Sequence, residues 1–154
     1  MITCGGYKDE TLIIWDLVHY QAISSIKGVY CCDASSIKNI DGNHIIVGGF
    51  NELFIVNINT FSIDVTLVDA RLNSIICFTQ LKDGNFLCGC SDGIICLYDI
   101  NDNEINDIRE HSLENEIQCI EQKNNEIYFG GRGFSLKKLS YSKIILVIKL
   151  KNSL

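Results

Sequence analysis

A chain of 154 residues is long enough to bury about two-thirds of the surface that it exposes when unfolded. A hydrophobic content of 47% excludes disorder, and a net charge of −6 argues against a nucleic-acid surface, so no nucleic-acid partner is expected. No signal peptide opens the chain, and the longest strongly apolar run, residues 144–148, is far short of the roughly 20 residues of a membrane span. The chain therefore reads as soluble and intracellular, in the cytoplasm or the nucleus.

In chain order, four stretches share one pattern of apolar run, turn and apolar run. They are residues 2–17 (ITCGGYKDETLIIWDL), 44–58 (HIIVGGFNELFIVNI), 85–100 (NFLCGCSDGIICLYDI) and 126–139 (EIYFGGRGFSLKKL). The third is the clearest. Phe86, Leu87 and Cys88 lead to a break at Ser91, Asp92 and Gly93, and Ile94 to Tyr98 resume the run, as in a β-hairpin. Gly5, Gly48, Gly89 and Gly130 are spaced by 43, 41 and 41 residues, and the strand ends Leu17, Ile58, Ile100 and Leu139 by 41, 42 and 39. A period near 41 sustained over four copies marks an internal repeat.

Shorter β-rich runs lie between the hairpins. Those at 22–27, 62–68, 104–108 and 143–149 follow a hairpin, while 74–81 and 116–122 precede one, with a weaker equivalent near 30–40. Turn residues recur about every ten positions and no helical stretch is visible, so the fold class is all-β. Fifteen strands are expected in a single domain, 1–154, made of units 1–28, 29–68, 69–110 and 111–154. The first unit begins at its second strand.

Leu12, Ile13, Ile14, Trp15, Asp16 and Leu17 resemble the Trp-Asp signature of WD40 repeats, and Leu97, Tyr98, Asp99 and Ile100 resemble it with Tyr for Trp. Residues 56–58 and 137–139 are degraded copies, and Asp92 and Asp9 stand at the tight-turn Asp position. His111 stands where the family's Gly-His histidine would precede the fourth unit. The resemblance implies a β-propeller of about 3.75 four-stranded blades. It implies that Trp15 and Tyr98 are large bodies packed between blades, and that Asp16 and Asp99 form turns. An arc of this length implies two apolar end faces, covered by self-association or by the remainder of a longer chain.

Signals for chemistry are sparse. The eight cysteines include no CxxC pair and fall mostly in expected strands, where cysteine behaves as a small hydrophobe, so reduced structural thiols and no metal are expected. Three histidines (His19, His44, His111) accompany no HExxH and no nucleophile elbow. Gly130, Gly131, Arg132 and Gly133 lie in a hairpin turn with no helix behind it, which argues against a phosphate loop. The expectation is therefore no catalytic residue, no cofactor and no enzyme. Charge is uneven, with six acids against Arg109 in residues 101–116, and six bases without an acid after Glu126. Such edges would steer a docking partner.

The function expected is a protein–protein interaction scaffold, part of a larger propeller or complex, with other proteins as partners. Its contacts would come from the face where hairpin turns and connections emerge: Tyr7, Lys8, Tyr30, Phe50, Asn51, Arg71, Asp92, His111 and Arg132. Phe50 and Tyr7 stand out, since an aromatic at an exposed turn makes an anchor. The alternative is a phosphoinositide- or phosphate-binding propeller that uses the basic last blade.

Overall fold

The computed structural model describes residues 1–6, 8–33, 36–70, 73–108, 115–142 and 144. Among them run fourteen strands in four antiparallel sheets. The first sheet is β1 (Ile2–Cys4), β2 (Thr11–Asp16) and β3 (Gln21–Lys27), and the second is β4 (Ile37–Asn39), β5 (His44–Gly48), β6 (Glu52–Asn57) and β7 (Ser62–Val68). The third is β8 (Ile75–Gln80), β9 (Phe86–Cys90), β10 (Ile95–Asp99) and β11 (Glu104–Ile108). The fourth is β12 (Ile117–Lys123), β13 (Glu126–Gly131) and β14 (Phe134–Ser140). Each strand pairs with its neighbours in sequence, so every sheet is a meander, and the 41-residue period is a period of sheets. The strand expected near 30–40 is cut to the three residues of β4. The strand expected at 143–149 lies outside the described residues except for Ile144, which is buried and shares a helical turn with Tyr141 and Ser142.

The chain divides into two compact units, Met1–Ile75 and Ile76–Leu154. In the first, Leu12, Ile14 and Ile26 of one sheet meet Ile45, Val47, Phe54 and Val56 of the other, with Val29 and Tyr30 between them in sequence. In the second, Leu87, Ile95 and Leu97 meet Ile117, Ile120, Ile127, Phe129 and Leu139. Strand alternation selects these sets, since residues two apart share a face.

The recurring glycines have a packing cause. A Cβ on Gly48 would lie 2.7 Å from the Cβ of Ile75, and one on Gly89 would lie 2.6 Å from Cγ2 of Ile117. Ile75 and Ile117 each open a strand, 42 residues apart, and each presses a β-branched side chain onto bare backbone. At Gly130 the nearest atom would be the sulfur of exposed Cys119 at 3.3 Å, a tight contact but a milder one than at Gly48 or Gly89.

The turns that close the hairpins repeat as well. Asp16 Oδ1 accepts the amides of Val18 (2.7 Å) and His19 (3.3 Å), and Asn57 Oδ1 accepts those of Asn59 (3.0 Å) and Thr60 (3.1 Å). Asp99 Oδ1 accepts those of Asn101 (2.9 Å) and Asp102 (3.4 Å). Four residues after each acceptor the backbone turns left-handed, at Tyr20 (φ 53°), Phe61 (φ 58°) and Asn103 (φ 53°). The strand-end acid of the repeat is thus a turn former, as the sequence suggested for Asp16 and Asp99. Asn57→Ala removes both bonds, and with them the contact of Asn57 Nδ2 with His44 Nε2 at 3.2 Å, and should cost about 1 kcal/mol in urea denaturation. An unchanged midpoint would separate the turn from the side chain.

Two large aromatics at equivalent repeat positions part company. Tyr98 is fully buried, and its hydroxyl donates to Asn103 Oδ1 at 2.8 Å. Trp15, expected in the core, is not there. Leu12 and Ile14 take the face of β2 turned to the second sheet, so alternation sends Trp15 to the far face. There it is half-buried, and its indole N–H donates to Thr3 Oγ1 at 2.8 Å.

The far face of the fourth sheet is more polar than the resemblance implies. In the fourth sheet, Glu121, Tyr128 and Lys138 stand opposite one another across the strands, a polar row on that face. Lys138 Nζ reaches Glu126 Oε1 at 2.9 Å and the Tyr128 hydroxyl donates to Glu126 Oε2 at 2.8 Å. The lysine contact holds the Glu126 carboxyl below its ordinary range. Exposed apolar side chains remain on both sheets: Leu136 of β14 is 68% exposed on the fourth, and Ile23 is 55% exposed on the first, near half-buried Ile13 and Trp15.

Candidate functional site

A cavity of about 480 Å³ opens in the first unit, lined by Gly6, Tyr30, Cys31, Cys32, Phe50 and Ser74. Four connections build it: the one between β1 and β2, the one that follows β3, and the ones that precede β6 and β8. Cys31 N–H donates to Gly5 O at 3.2 Å and Ile75 N–H to Gly49 O at 3.1 Å, which ties these connections together. Phe50 forms an isolated bridge with Ser74. A fixed backbone therefore carries the cavity wall.

Tyr30 is the wall's rigid part. Its ring lies edge-on to Phe54 with centroids 5.7 Å apart, and its hydroxyl donates to Phe50 O at 3.1 Å. Gly49 makes room for it, since a Cβ there would lie 3.0 Å from the ring. Burial, then the Glu52 carboxylate, pushes the Tyr30 phenol up to about 12 from 10.0. The folded chain keeps this proton where the unfolded chain loses it. The associated stability is complete below about pH 10 and is lost as pH rises through about 12. Tyr141, bonded to Asp83, is pushed up to about 12 as well, chiefly by burial. Unfolding midpoints should therefore fall between about pH 10 and 12, and Tyr30→Phe should flatten part of that fall. An equal slope in the variant would place the cause elsewhere.

Phe50 supplies the exposed part of the wall, with 49% of its surface open. Of the contact residues inferred from sequence, the structure brings Tyr30 and Phe50 together here. Tyr30 enters as a buried wall rather than as an exposed loop residue, because its ring packs on Phe54. Lys8 is exposed in the connection between β1 and β2. Asn51 sits in the left-handed region (φ 57°) and its carbonyl accepts the Asp69 amide, so it is a turn residue. Asp92 caps its own turn by accepting the Ile94 amide at 3.2 Å. Arg132 is exposed, with its amide donating to Glu116 O. Tyr7, Arg71 and His111 lie outside the described residues.

Gly6, Cys31, Cys32 and Ser74 were not anticipated in the site, since nothing in their local sequence marks them. Each of the eight cysteines is a thiol: Cys77, Cys88, Cys90 and Cys96 are buried, Cys4, Cys31 and Cys32 half-buried, and Cys119 exposed. Cys31 Sγ lies 3.6 Å from Cys4 O, and Cys4 Sγ lies 3.5 Å from Val29 O. Among the described residues no three His, Cys, Asp or Glu side chains converge as metal ligands, and no helix is long and apolar enough to cross a membrane.

Sqt1 of Saccharomyces cerevisiae is similar over 92% of this chain, with a TM-score of 0.75 and 16% identity. The computationally designed Ika4 protein is similar over 90% of this chain (TM-score 0.69, 19% identity), and the designed Ika8 protein over 91% (TM-score 0.67, 20% identity). The fold is propeller-like, built from blade-like antiparallel sheets. The likeness spans 84% of Ika4 but 42% of Sqt1 and 43% of Ika8. No protein-family profile and no curated protein sequence matches the chain.

Proposed function

We propose that this chain is a non-catalytic, WD40-like interaction module that docks a protein partner on the hairpin-turn face of its first unit. The observation carrying this reading is the cavity between the connections, which half-exposed Phe50 and buried Tyr30 line together. A fixed aromatic wall with an open aromatic at its edge suits an apolar or aromatic side chain of a partner segment. Backbone donors and acceptors of the surrounding turns would hold that segment's main chain. The module works as part of a larger propeller or complex, with Ile13, Trp15 and Ile23 as the surface that further blades or a second copy would cover. The basic last blade is the weaker candidate for a site, because Lys138 is engaged by Glu126.

Selection from a random peptide library on the immobilised chain tests the reading. Recovered peptides should carry an aromatic or large aliphatic anchor, and Phe50→Ala should weaken them about tenfold or more while leaving the melt unchanged. Peptides that bind the variant equally well would move the site elsewhere. Preferential binding to vesicles containing phosphoinositide would favour the phosphate-binding alternative.

A further inference from the structure

The cavity wall holds a second feature that the docking reading does not use. Cys4, at the end of β1, and Cys31, on the cavity wall, come together from positions 27 residues apart. Backbone fixes their meeting: the Cys31 amide donates to Gly5 O at 3.2 Å, and the Cys31 sulfur lies 3.6 Å from Cys4 O. The Cys4 thiol in turn reaches Val29 O at 3.5 Å, so each sulfur lies against the other's segment. Four of the remaining thiols are buried within strands, whereas Cys31 faces an opening wide enough for a small molecule.

The two thiols also differ in acidity. The Cys4 thiol, then the buried Ser36 hydroxyl, lowers the Cys31 thiol from 9.0 to about 7, against the opposing effect of burial. The contact with Cys31, then burial, pushes Cys4 well above the ordinary thiol range. An attacking thiol works best when its pKa lies near the ambient pH.

We propose that Cys31 is the reactive thiol of a redox-active pair, oxidised by a small hydroperoxide that enters the cavity, with Cys4 as its resolving partner. The Cys31 thiolate attacks the terminal peroxide oxygen and the O–O bond breaks. The alcohol, or water from hydrogen peroxide, leaves with one proton, and Cys31 becomes a sulfenic acid. The Cys4 sulfur then attacks the Cys31 sulfur, the S–O bond breaks, and water leaves with the Cys4 proton. The dithiol has lost two electrons and the peroxide has gained them. The resulting disulfide fixes the end of β1 to the cavity wall. This proposal does not depend on any partner docking at the cavity.

The test uses the whole chain with iodoacetamide and hydrogen peroxide as probes, followed by peptide mapping. At pH 7, Cys31 should alkylate about threefold faster than an unstructured cysteine peptide, its larger thiolate fraction outweighing its lower nucleophilicity. Its rate should follow pH with a midpoint at about 7. Stoichiometric peroxide should give a peptide pair joined through Cys4 and Cys31. In Cys4→Ser, Cys31 should instead accumulate as a sulfenic acid that dimedone traps. The wild-type measurements decide even if that variant fails to fold. A rate and midpoint matching the free peptide would overturn the proposal, as would a peroxide product joining Cys31 to Cys32 or one sparing Cys31.

Discussion

Replacing Tyr98 with alanine should cost about 3–5 kcal/mol, as for other large aromatics cut down in a core. The side chain is fully buried on the central strand β10, between Phe86 of β9 and Ile105 of β11 in the ladder. Truncation leaves a cavity the size of a ring and removes the bond to Asn103 Oδ1. Tyr98→Phe isolates that bond and should cost about 1 kcal/mol. Trp15→Ala should cost clearly less than Tyr98→Ala, since Trp15 keeps part of its surface in water. Urea denaturation of the three variants gives the order, and a Tyr98→Ala cost below about 1 kcal/mol would contradict this packing.

A single methyl group should matter almost as much at Gly89. Its Cβ would fall 2.6 Å from Ile117 Cγ2 and 2.8 Å from the Cys77 sulfur, both in a filled core. Ile117 is fully buried and β-branched, with little freedom to turn aside. Overpacking of this kind costs about 1–3 kcal/mol, which outweighs the backbone entropy that alanine saves. Gly130, one repeat later, meets the sulfur of exposed Cys119 at 3.3 Å and Leu136 Cδ1 at 3.9 Å, so Gly130→Ala should cost clearly less than Gly89→Ala, about 0.5 kcal/mol or less. Equal effects at the two positions would show that the repeat glycine serves the turn rather than the close approach of Ile117.

These two glycines illustrate what the sequence made legible. The 41-residue period located the hairpins, and the strand-end acids were readable as turn formers, because both are local consequences of alternation and turn chemistry. Which face of a strand is packed was less readable. Leu12, Ile13, Ile14 and Trp15 are all apolar, so either parity satisfies the pattern, and the resemblance favoured Trp15 as core. The structure buries Leu12 and Ile14 instead, because they face Ile45, Val47 and Phe54. The polar row on the far face of the fourth sheet is hidden for a related reason: Glu121, Tyr128 and Lys138 sit on different strands, and only register aligns them.

The candidate site was legible only in its most exposed residue. Phe50 could be picked out as an aromatic in a turn. Tyr30 belongs to the site as a buried residue rather than an exposed one: its ring packs on Phe54, where Gly49 gives it space. The cavity draws Gly6, Cys31 and Ser74 from connections far apart in sequence, and no local pattern announces such a meeting. The Cys4–Cys31 contact is hidden in the same way, because strand-like surroundings make every cysteine read as a small hydrophobe.

Site-directed photo-crosslinking in the protein's own cells tests the docking claim most directly. A photoreactive residue replacing Phe50 should give one reproducible protein adduct, competed away by a selected peptide, and the same residue replacing exposed Lys123 should give none. No adduct at position 50, or the same adducts at both positions, would contradict a docking site on the hairpin-turn face of the first unit.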